Sequence, residues 1–559
     1  MKPWHERFPS IYDYERSFWL DKGFEQARLR PGEEISFIGT ITARVKLDQR
    51  LQERQFKLRV VYPPGYPYIP PRVEFLDPKI KRARHQGLDG APCLFPPAAW
   101  TLSFPASEFY IAIERWLDCH LQGSFPRELT LYELPEYLPY SSFSILAAPE
   151  LFELVNGESG GGFSVEELLG HGLGVLWSLN EQIIGRELLD ALAPTRTRKL
   201  EKRVGRWYRL GEEPAPVQNT AELQKLLECH GHRVDLSKRP QLTRHLIGLV
   251  FPDAALQEER FVTLDLGVSS KKEQAEVAKG WRVRSPRAYI VSHEELFRRL
   301  EGVRDVAQLA EKRVVCFGLG AIGSAMAIAL TREGVGDFIL CDPDMLRPGN
   351  IIRHALDLLS VGQYKAEAVE SALARINPSI ATGSETENLT NPDVITSRLR
   401  DASIVLLAVG DDLREELIGE IIATGEQSPP LILVRTLHAG AVFRVALVRQ
   451  GVDACLRCLV DYQAAQHPDW ISVPAADLAD VYDAGCASPA RPGAGLTGQQ
   501  AALFAAARAL EVLEDRAGES NHWLWVERPV PGADARLQTP MTLYQARFQP
   551  RPGCPICGV

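Results

Sequence analysis

Four cysteines stand in two C-x-x-C pairs, Cys455 with Cys458 in "CLRC" and Cys554 with Cys557 in "CPIC". Each such pair can supply two adjacent corners of a tetrahedral thiolate site for Zn²⁺, and the separation of 554 − 458 = 96 positions only requires that the ends meet in the fold. All four ligands would then come from protein, leaving no position for water, so the site is read as structural; a disulfide or redox pair is the alternative. Elsewhere "GLGAIG" sets Gly318, Gly320 and Gly323 at G-x-G-x-x-G spacing, directly after an apolar run and at the start of an Ala-rich one. Such glycines permit a tight turn and let a phosphate approach the amides and the positive end of a helix. Asp342 closes the next apolar run, 342 − 318 = 24 residues on, where a carboxylate would accept hydrogen bonds from ribose hydroxyls. These residues indicate a nucleotide without separating NAD from ATP.

Downstream polar residues make that separation. "DPDMLRPGNIIRH" carries Asn350 and Arg353, "SVGQYK" carries Lys365, and "LLAVGDD" ends an apolar run with Asp411. Hydride transfer needs no Arg, Lys and Mg²⁺-binding carboxylate around a triphosphate. Adenylation does, because a carboxylate attacking the α-phosphate brings two anions together and releases pyrophosphate. With "GLGAIG", Asp342, "NIIR", Lys365 and Asp411 in this order, residues 301–559 resemble the adenylation domain of the ubiquitin-activating superfamily, which includes the ThiF and MoeB sulfur-carrier activators. The resemblance implies ATP and Mg²⁺ as cofactors, a protein substrate activated at its C-terminal glycine, and a homodimer. Arg353 and Lys365 would stabilise charge developing on phosphate, and Asp411 would hold Mg²⁺, with Asp412 as a substitute because the usual aspartate-rich stretch reads "AVGDD" here. It places zinc on the two C-x-x-C pairs. It also implies that Cys486, in the small-residue loop "YDAGCASPARPGAGLTG", takes the acyl group as a thioester. Cys316 and Cys341 are weaker choices, since both lie in apolar strands where burial raises a thiol's pKa.

A further thiol, Cys93, stands in "RHQGLDGAPCLFPPAAW". A lone cysteine is by default a small buried hydrophobe. Its surroundings are an amphipathic opening helix, strand-like alternation over residues 31–76 and the prolines Pro63, Pro64, Pro67, Pro70 and Pro71, which should form a rigid irregular link. After it, "SEFYIAIERWLDCHL" has helical spacing with Phe109, Ile113, Trp116 and Leu117 on one face. "YPPGYPYIPPRVEF" followed by "APCL" resembles the ubiquitin-conjugating fold. That resemblance implies that Cys93 receives the acyl group by transthiolation and offers it to an acceptor amine. His85, at 93 − 85 = 8 residues before the cysteine, stands where that fold places an oxyanion-stabilising asparagine. A histidine there could donate to the oxyanion or accept a proton from the amine, or merely shape the loop.

The elements that must position these residues follow from length and patterning. At 559 residues the chain is too long for one core. An α/β protein in three parts is expected: an α+β ubiquitin-conjugating-like domain over 1–134, a linking or partner-binding domain over 135–300, and a Rossmann-like ThiF-type adenylation domain over 301–559. In the last, "KRVVCF", "DFILCD", "ASIVLLAVGD" and "PLILVRTL" are near-continuous apolar strands divided by helices, the pattern of a parallel doubly wound sheet. In the middle part, "NGESGGGFS" reads as a flexible turn and "TAELQKLLECHG" and "SHEELFRRLEG" as capped helices. Cys229, His230 and His232 lie close together without a second ligand pair. A net charge of −9 argues against nucleic acid as a partner. With no apolar run of signal or membrane length in the sequence, a cytoplasmic protein without a membrane partner is expected.

The order of parts resembles the proteins of type II CBASS anti-phage operons, whose substrate is a cGAS-like nucleotidyltransferase. A dedicated ubiquitin-like protein is the alternative substrate for the same relay. Sulfur-carrier activation leaves the first domain without a task, and a non-catalytic scaffold leaves both thiols and the glycine turn without one.

Overall fold

A computed structural model describes residues 3–27, 34–47, 50–76, 91–95, 100–101, 105–122, 141, 143–192, 200–212, 214, 217, 219–236, 245–253, 258–266, 283–387, 391–426, 428–466 and 495–558. The chain divides into two compact units, Met1–Arg186 with Lys199–Ile290 and Glu187–Arg198 with Val291–Val559.

The first unit begins with an antiparallel meander of β1 (Glu25–Gln26), β2 (Ile35–Leu47), β3 (Arg50–Tyr62) and β4 (Arg72–Phe75). Alternation along β3 turns Phe56, Leu58, Val60 and Tyr62 inward. The helix Ala106–Gln122 covers that face with Phe109, Ile113, Trp116 and Leu117, the four residues that its spacing predicts, and Trp4 and Trp19 from the N-terminal helices complete the core. The proline-rich link from 63 to 71 runs as turns and bends. Its Tyr66 is anchored by a buried carboxylate: Glu15 accepts hydrogen bonds from the hydroxyls of Tyr66 (2.8 Å) and Tyr62 (2.5 Å), and Trp19 Nε1 donates to the Tyr62 hydroxyl (2.6 Å). Burial raises the Glu15 pKa, so these partners are what make the buried acid tolerable.

The same unit holds an eight-stranded sheet of β5 (Ser144–Ala147), β6 (Gly160–Leu168), β7 (Leu173–Leu179), β8 (Gln182–Ile183), β9 (Leu200–Arg209), β10 (His245–Asp253), β11 (Glu258–Asp265) and β12 (Ala288–Ile290), in the order β11-β10-β9-β6-β7-β5-β12 with β8 on β7. The expected flexible turn at "NGESGGGFS" is only partly one: Gly160, Gly161 and Gly162 open β6. A Cβ on Gly161 would lie 1.9 Å from Asn180 Oδ1 and 2.8 Å from Trp207 Nε1, so close packing selects glycine there. The helix Thr220–Cys229 is capped by Asn219, whose side chain accepts from the Glu222 N–H. Beyond its end, His230 Nδ1 accepts from the Gly211 N–H (3.3 Å) and His232 Nε2 lies 2.7 Å from the Arg209 carbonyl, so both rings fix the local backbone.

The second unit is built on β13 (Arg313–Phe317), β14 (Asp337–Cys341), β15 (Ala381–Glu385), β16 (Ile404–Leu407), β17 (Leu431–Leu437), β18 (Val442–Val448), β19 (His522–Val526) and β20 (Thr542–Ala546), in the order β15-β14-β13-β16-β17-β18-β19-β20. Pairing is parallel from β15 to β17 and antiparallel from β17 to β20. Helices Ala321–Arg332, Lys365–Ile376 and Gly495–Leu513 pack into one core, and helices Pro392–Arg398, Asp412–Thr424 and Leu456–Gln466 into another, so the apolar strands are covered on both faces. The strand order reverses between β14 and β16, on either side of β13. In such a sheet a ligand crevice opens at the carboxyl ends of the strands beside that reversal. Among the described residues, no helix is long and apolar enough to cross a membrane.

Candidate functional site

The glycine turn sits at that reversal, between β13 and the helix Ala321–Arg332, and its glycines have different physical reasons. Gly318 has φ +85°, and a Cβ on it would lie 2.6 Å from the Ala408 carbonyl oxygen at the end of β16. A Cβ on Gly323 would fall 1.9 Å from the Gly318 carbonyl oxygen. Both are required by backbone packing. At Gly320, the N-cap of the helix, a Cβ would meet nothing within 4 Å, so the open space there is available to a ligand.

Leu319, between these glycines, is held by two side chains. Its N–H donates to Asp342 Oδ2 (2.7 Å), and its carbonyl accepts from His354 Nε2 (2.7 Å). His354 Nδ1 accepts from the Leu356 N–H (3.2 Å), which assigns the proton to Nε2. Burial, followed by the charge of Lys365, lowers the His354 pKa, so the ring is neutral and in the tautomer that the turn needs. Asp342 is buried, and desolvation raises its pKa against the opposing pull of Lys365 and of two backbone donors, Leu319 and Asp344. Lys365 Nζ lies 4.0 Å from Asp342 Oδ1 and 2.7 Å from Asp344 Oδ2. Gly318, Gly320, Gly323, Asp342 and Lys365 are therefore gathered around one turn. The second acid of "DPD" and the histidine that follows Arg353 are the additions that sequence reading missed; both lie within the quoted motif, but only the fold shows their contacts.

Asn350 serves its own segment: its Oδ1 accepts from the Arg347 N–H (2.9 Å), and its carbonyl accepts from the N–H groups of Arg353 (3.0 Å) and His354 (2.9 Å). This short turn delivers His354 to the Leu319 carbonyl. The Arg353 carbonyl accepts from Gln499 Nε2 (3.1 Å), tying the segment to the helix Gly495–Leu513. Asp411 caps the helix Asp412–Thr424, with Oδ1 accepting from the Leu413 and Arg414 N–H groups at 3.1 Å each. The carboxylate of Asp412 is engaged by Arg435.

On the other face of the sheet the four paired cysteines converge. Cys455 Sγ lies 3.7 Å from Cys554 Sγ, Cys458 Sγ lies 3.6 Å from Cys557 Sγ, and all four sulfurs fall within 4.8 Å of one another. Tetrahedral thiolates at about 2.3 Å from a metal have edges of roughly 3.8 Å, so the donor set fits a Cys₄ ion such as zinc. Backbone N–H groups of Cys458 and Arg551 point at Cys455 Sγ (3.5 Å) and Cys458 Sγ (3.4 Å). Such donors favour thiolate.

Of the remaining thiols, Cys316 and Cys341 are buried in β13 and β14, and desolvation raises both, Cys341 to about 12. Neither can act as a nucleophile near neutral pH. Cys93 is exposed in the first unit, while its neighbours Leu94 and Phe95 pack against the core and Phe95 stacks on Trp100 at 5.7 Å. Leu94 and Phe95 thus anchor the chain beside an exposed Cys93. His85 and Cys486 lie outside the described residues.

Residues 293–524 match the ThiF family. The chain is 34% identical over 180 residues to ubiquitin-like modifier-activating enzyme 5 of Caenorhabditis briggsae, covering 31% of this chain and 41% of that protein. It is 32% identical over 173 residues to the sulfur carrier protein ThiS adenylyltransferase of Bacillus subtilis, covering 30% and 50%. It is 34% identical over 120 residues to the ATP-dependent ubiquitin transferase-like protein Cap2 of Enterobacter hormaechei, covering 21% and 20%. The chain spans half or less of the length of these relatives.

Proposed function

We propose, from the ThiF/MoeB-like adenylation domain that residues 293–524 carry, that this protein activates the C-terminal glycine of a protein substrate with ATP and passes the acyl group through two thiols to an amine. The observation that carries the first step is the turn at Gly320, open to a phosphate, with Leu319 locked by Asp342 and His354 and with Lys365 beside it. The ribose hydroxyls would donate to Asp342. The triphosphate would lie along the N-terminus of the helix Ala321–Arg332, with Arg353 and Lys365 neutralising its charge. Asp411 would hold Mg²⁺, with Asp412, whose carboxylate Arg435 engages, as the substitute. The substrate's carboxylate oxygen bonds to the α-phosphorus as the bond to the β-phosphate oxygen breaks, and pyrophosphate leaves. Zinc on Cys455, Cys458, Cys554 and Cys557 is structural and takes no part in these steps.

In the second step the Cys486 thiolate attacks the acyl carbon and AMP departs. Cys93, an exposed thiol, then displaces Cys486. An acceptor amine finally attacks the Cys93 thioester, giving an amide and regenerating the thiol, with His85 hydrogen-bonding to the oxyanion. The similarity to Cap2, whose name describes an ATP-dependent ubiquitin transferase-like protein, supports ATP-dependent transfer of this kind, and the substrate we propose for it is a cGAS-like nucleotidyltransferase in anti-phage defence. A dedicated ubiquitin-like protein would use the same chemistry. The relatives named for sulfur-carrier activation support adenylation but give the exposed Cys93 no task.

The test is ATP–pyrophosphate exchange with candidate substrates, followed by mass spectrometry of denatured, non-reduced protein. The expected result is exchange with wild-type protein, an acyl group on both cysteines, and none on Cys93 in Cys486→Ala. Normal acylation of Cys93 in that variant would overturn the relay while leaving adenylation standing.

A further inference from the structure

The first turn of the helix Gly495–Leu513 lies against the segment that carries Arg353, and its residues suit that place. At Gly495 a Cβ would lie 2.8 Å from the Ile352 carbonyl oxygen and 3.6 Å from Arg353 Cα, so close backbone approach selects glycine. At Gly498 a Cβ would meet the Ala321 methyl at 3.9 Å, which sets the same turn beside the residue that follows Gly320. Thr497 is 3% exposed and donates from Oγ1 to the Gly440 carbonyl (2.9 Å), fixing the turn to the connection between β17 and β18. From this fixed base Gln499 donates from Nε2 to the Arg353 carbonyl (3.1 Å).

Packing holds the arginine's segment unevenly. Ile352 is 87% exposed, Arg353 is half-buried and His354 is buried. His354 keeps its place through its own bonds, to the carbonyls of Asn350 and Leu319 and from the Leu356 N–H. Arg353 therefore sits between an exposed neighbour and an anchored one. Its N–H donates to the Asn350 carbonyl, which orients the peptide before its Cα, and the Gln499 amide orients the peptide after it. Peptides are planar, so two held planes set φ and ψ of Arg353 and with them the direction of its Cα–Cβ bond. A long side chain amplifies an error at that bond. A tilt of about 10° moves a guanidinium roughly 6 Å away by about 1 Å, and a misplacement of that size can cost ~10²-fold in rate.

We propose that Gln499 is a positioning residue for Arg353, holding its backbone so that the guanidinium meets the charge that develops on the phosphate. The proposal rests on the adenylation reading and deepens it, because Gln499 acts through the arginine and not on the reacting atoms. That charge grows only on the way to the transition state, so the loss on removing Gln499 belongs to kcat and not to KM.

Two variants of the full chain test it. Gln499→Met keeps the shape of the side chain and donates nothing, whereas Gln499→Lys restores a donor. Amide hydrogen exchange is read by mass spectrometry without ATP, and ATP–pyrophosphate exchange is read with the candidate substrates. In Gln499→Met the amides of residues 350–356 should exchange about fivefold faster than in wild type, the consequence of one lost hydrogen bond, while those of β13 and β14 keep their rates. The kcat of ATP–pyrophosphate exchange should fall about tenfold with KM for ATP within about twofold, and Gln499→Lys should recover most of the loss. Unchanged amide exchange at 350–356, a loss carried by KM, or no recovery in Gln499→Lys would each overturn the proposal, while activity in wild-type protein keeps adenylation standing. Wild-type protein inactive with every candidate substrate would instead remove the adenylation reading, and this role with it.

Discussion

At the scale of single residues, the turn that would meet the phosphates depends on one neutral imidazole. His354 donates to the Leu319 carbonyl and accepts from the Leu356 N–H, so His354→Leu orphans two polar groups at a buried residue. Each costs ~1–3 kcal/mol, and the variant should be less stable by about 2–4 kcal/mol at pH 7.5. The pH dependence has a definite sign. Burial depresses the folded-state pKa below the ordinary value of 6.5. Below that value the unfolded chain binds a proton that the folded chain refuses, so the stabilisation by His354 is complete above pH 6.5 and is lost as pH falls toward the folded pKa. Urea unfolding of both proteins between pH 7.5 and 5 should show the gap closing by up to ~1.4 kcal/mol per pH unit. A gap constant with pH would mean that the imidazole is not held neutral.

At the scale of elements, strand, glycine turn and helix form a unit in which identical substitutions should have opposite consequences. Gly323→Ala drives a methyl into the Gly318 carbonyl and should cost at least ~2 kcal/mol of stability, since backbone must move. Gly320→Ala places its methyl in open space at φ −72° and should fold as well as wild type, within ~0.5 kcal/mol. That same methyl occupies the space open to a phosphate, so KM for ATP in the exchange assay should rise at least tenfold. Normal KM in Gly320→Ala would remove the phosphates from this turn. Much of this unit is legible from sequence because its causes are local: apolar strands, a three-glycine spacing and helical periodicity all act within a few residues. Gly160 to Gly162 are misread as a turn because what selects glycine at 161 is Asn180 and Trp207, distant in the chain. The opposition of Arg435 on β17 to Arg444 on β18 is equally hidden, since it exists only once the two strands pair in register.

At the scale of the whole molecule, the paired cysteines act on the second unit and should do so without touching its chemistry. The start of the helix Leu456–Gln466 and the C-terminal "CPIC" are brought together by four thiols, and Cys455, Leu456, Cys458 and Cys554 pack in the same core as Leu431, Leu433 and Ala446 of the central strands. A metal there ties the far end of the chain to the sheet, and its binding free energy becomes folding free energy. Protein purified under reducing conditions without chelator should contain one zinc per chain by elemental analysis. Cys458→Ser should lose most of it and melt at least ~5 °C lower, while the fraction that stays folded keeps its ATP–pyrophosphate exchange rate, because none of the four sulfurs adjoins the glycine turn's partners Asp342, His354 or Lys365. The rival arrangement, a disulfide within each pair, would join Cys455 to Cys458 and Cys554 to Cys557, whereas all four are free thiols here. It makes the opposite forecast: no zinc, and two thiols per pair protected from alkylation until reductant is added. Finding those protected thiols in metal-free protein that melts like wild type would replace the structural ion with a redox pair.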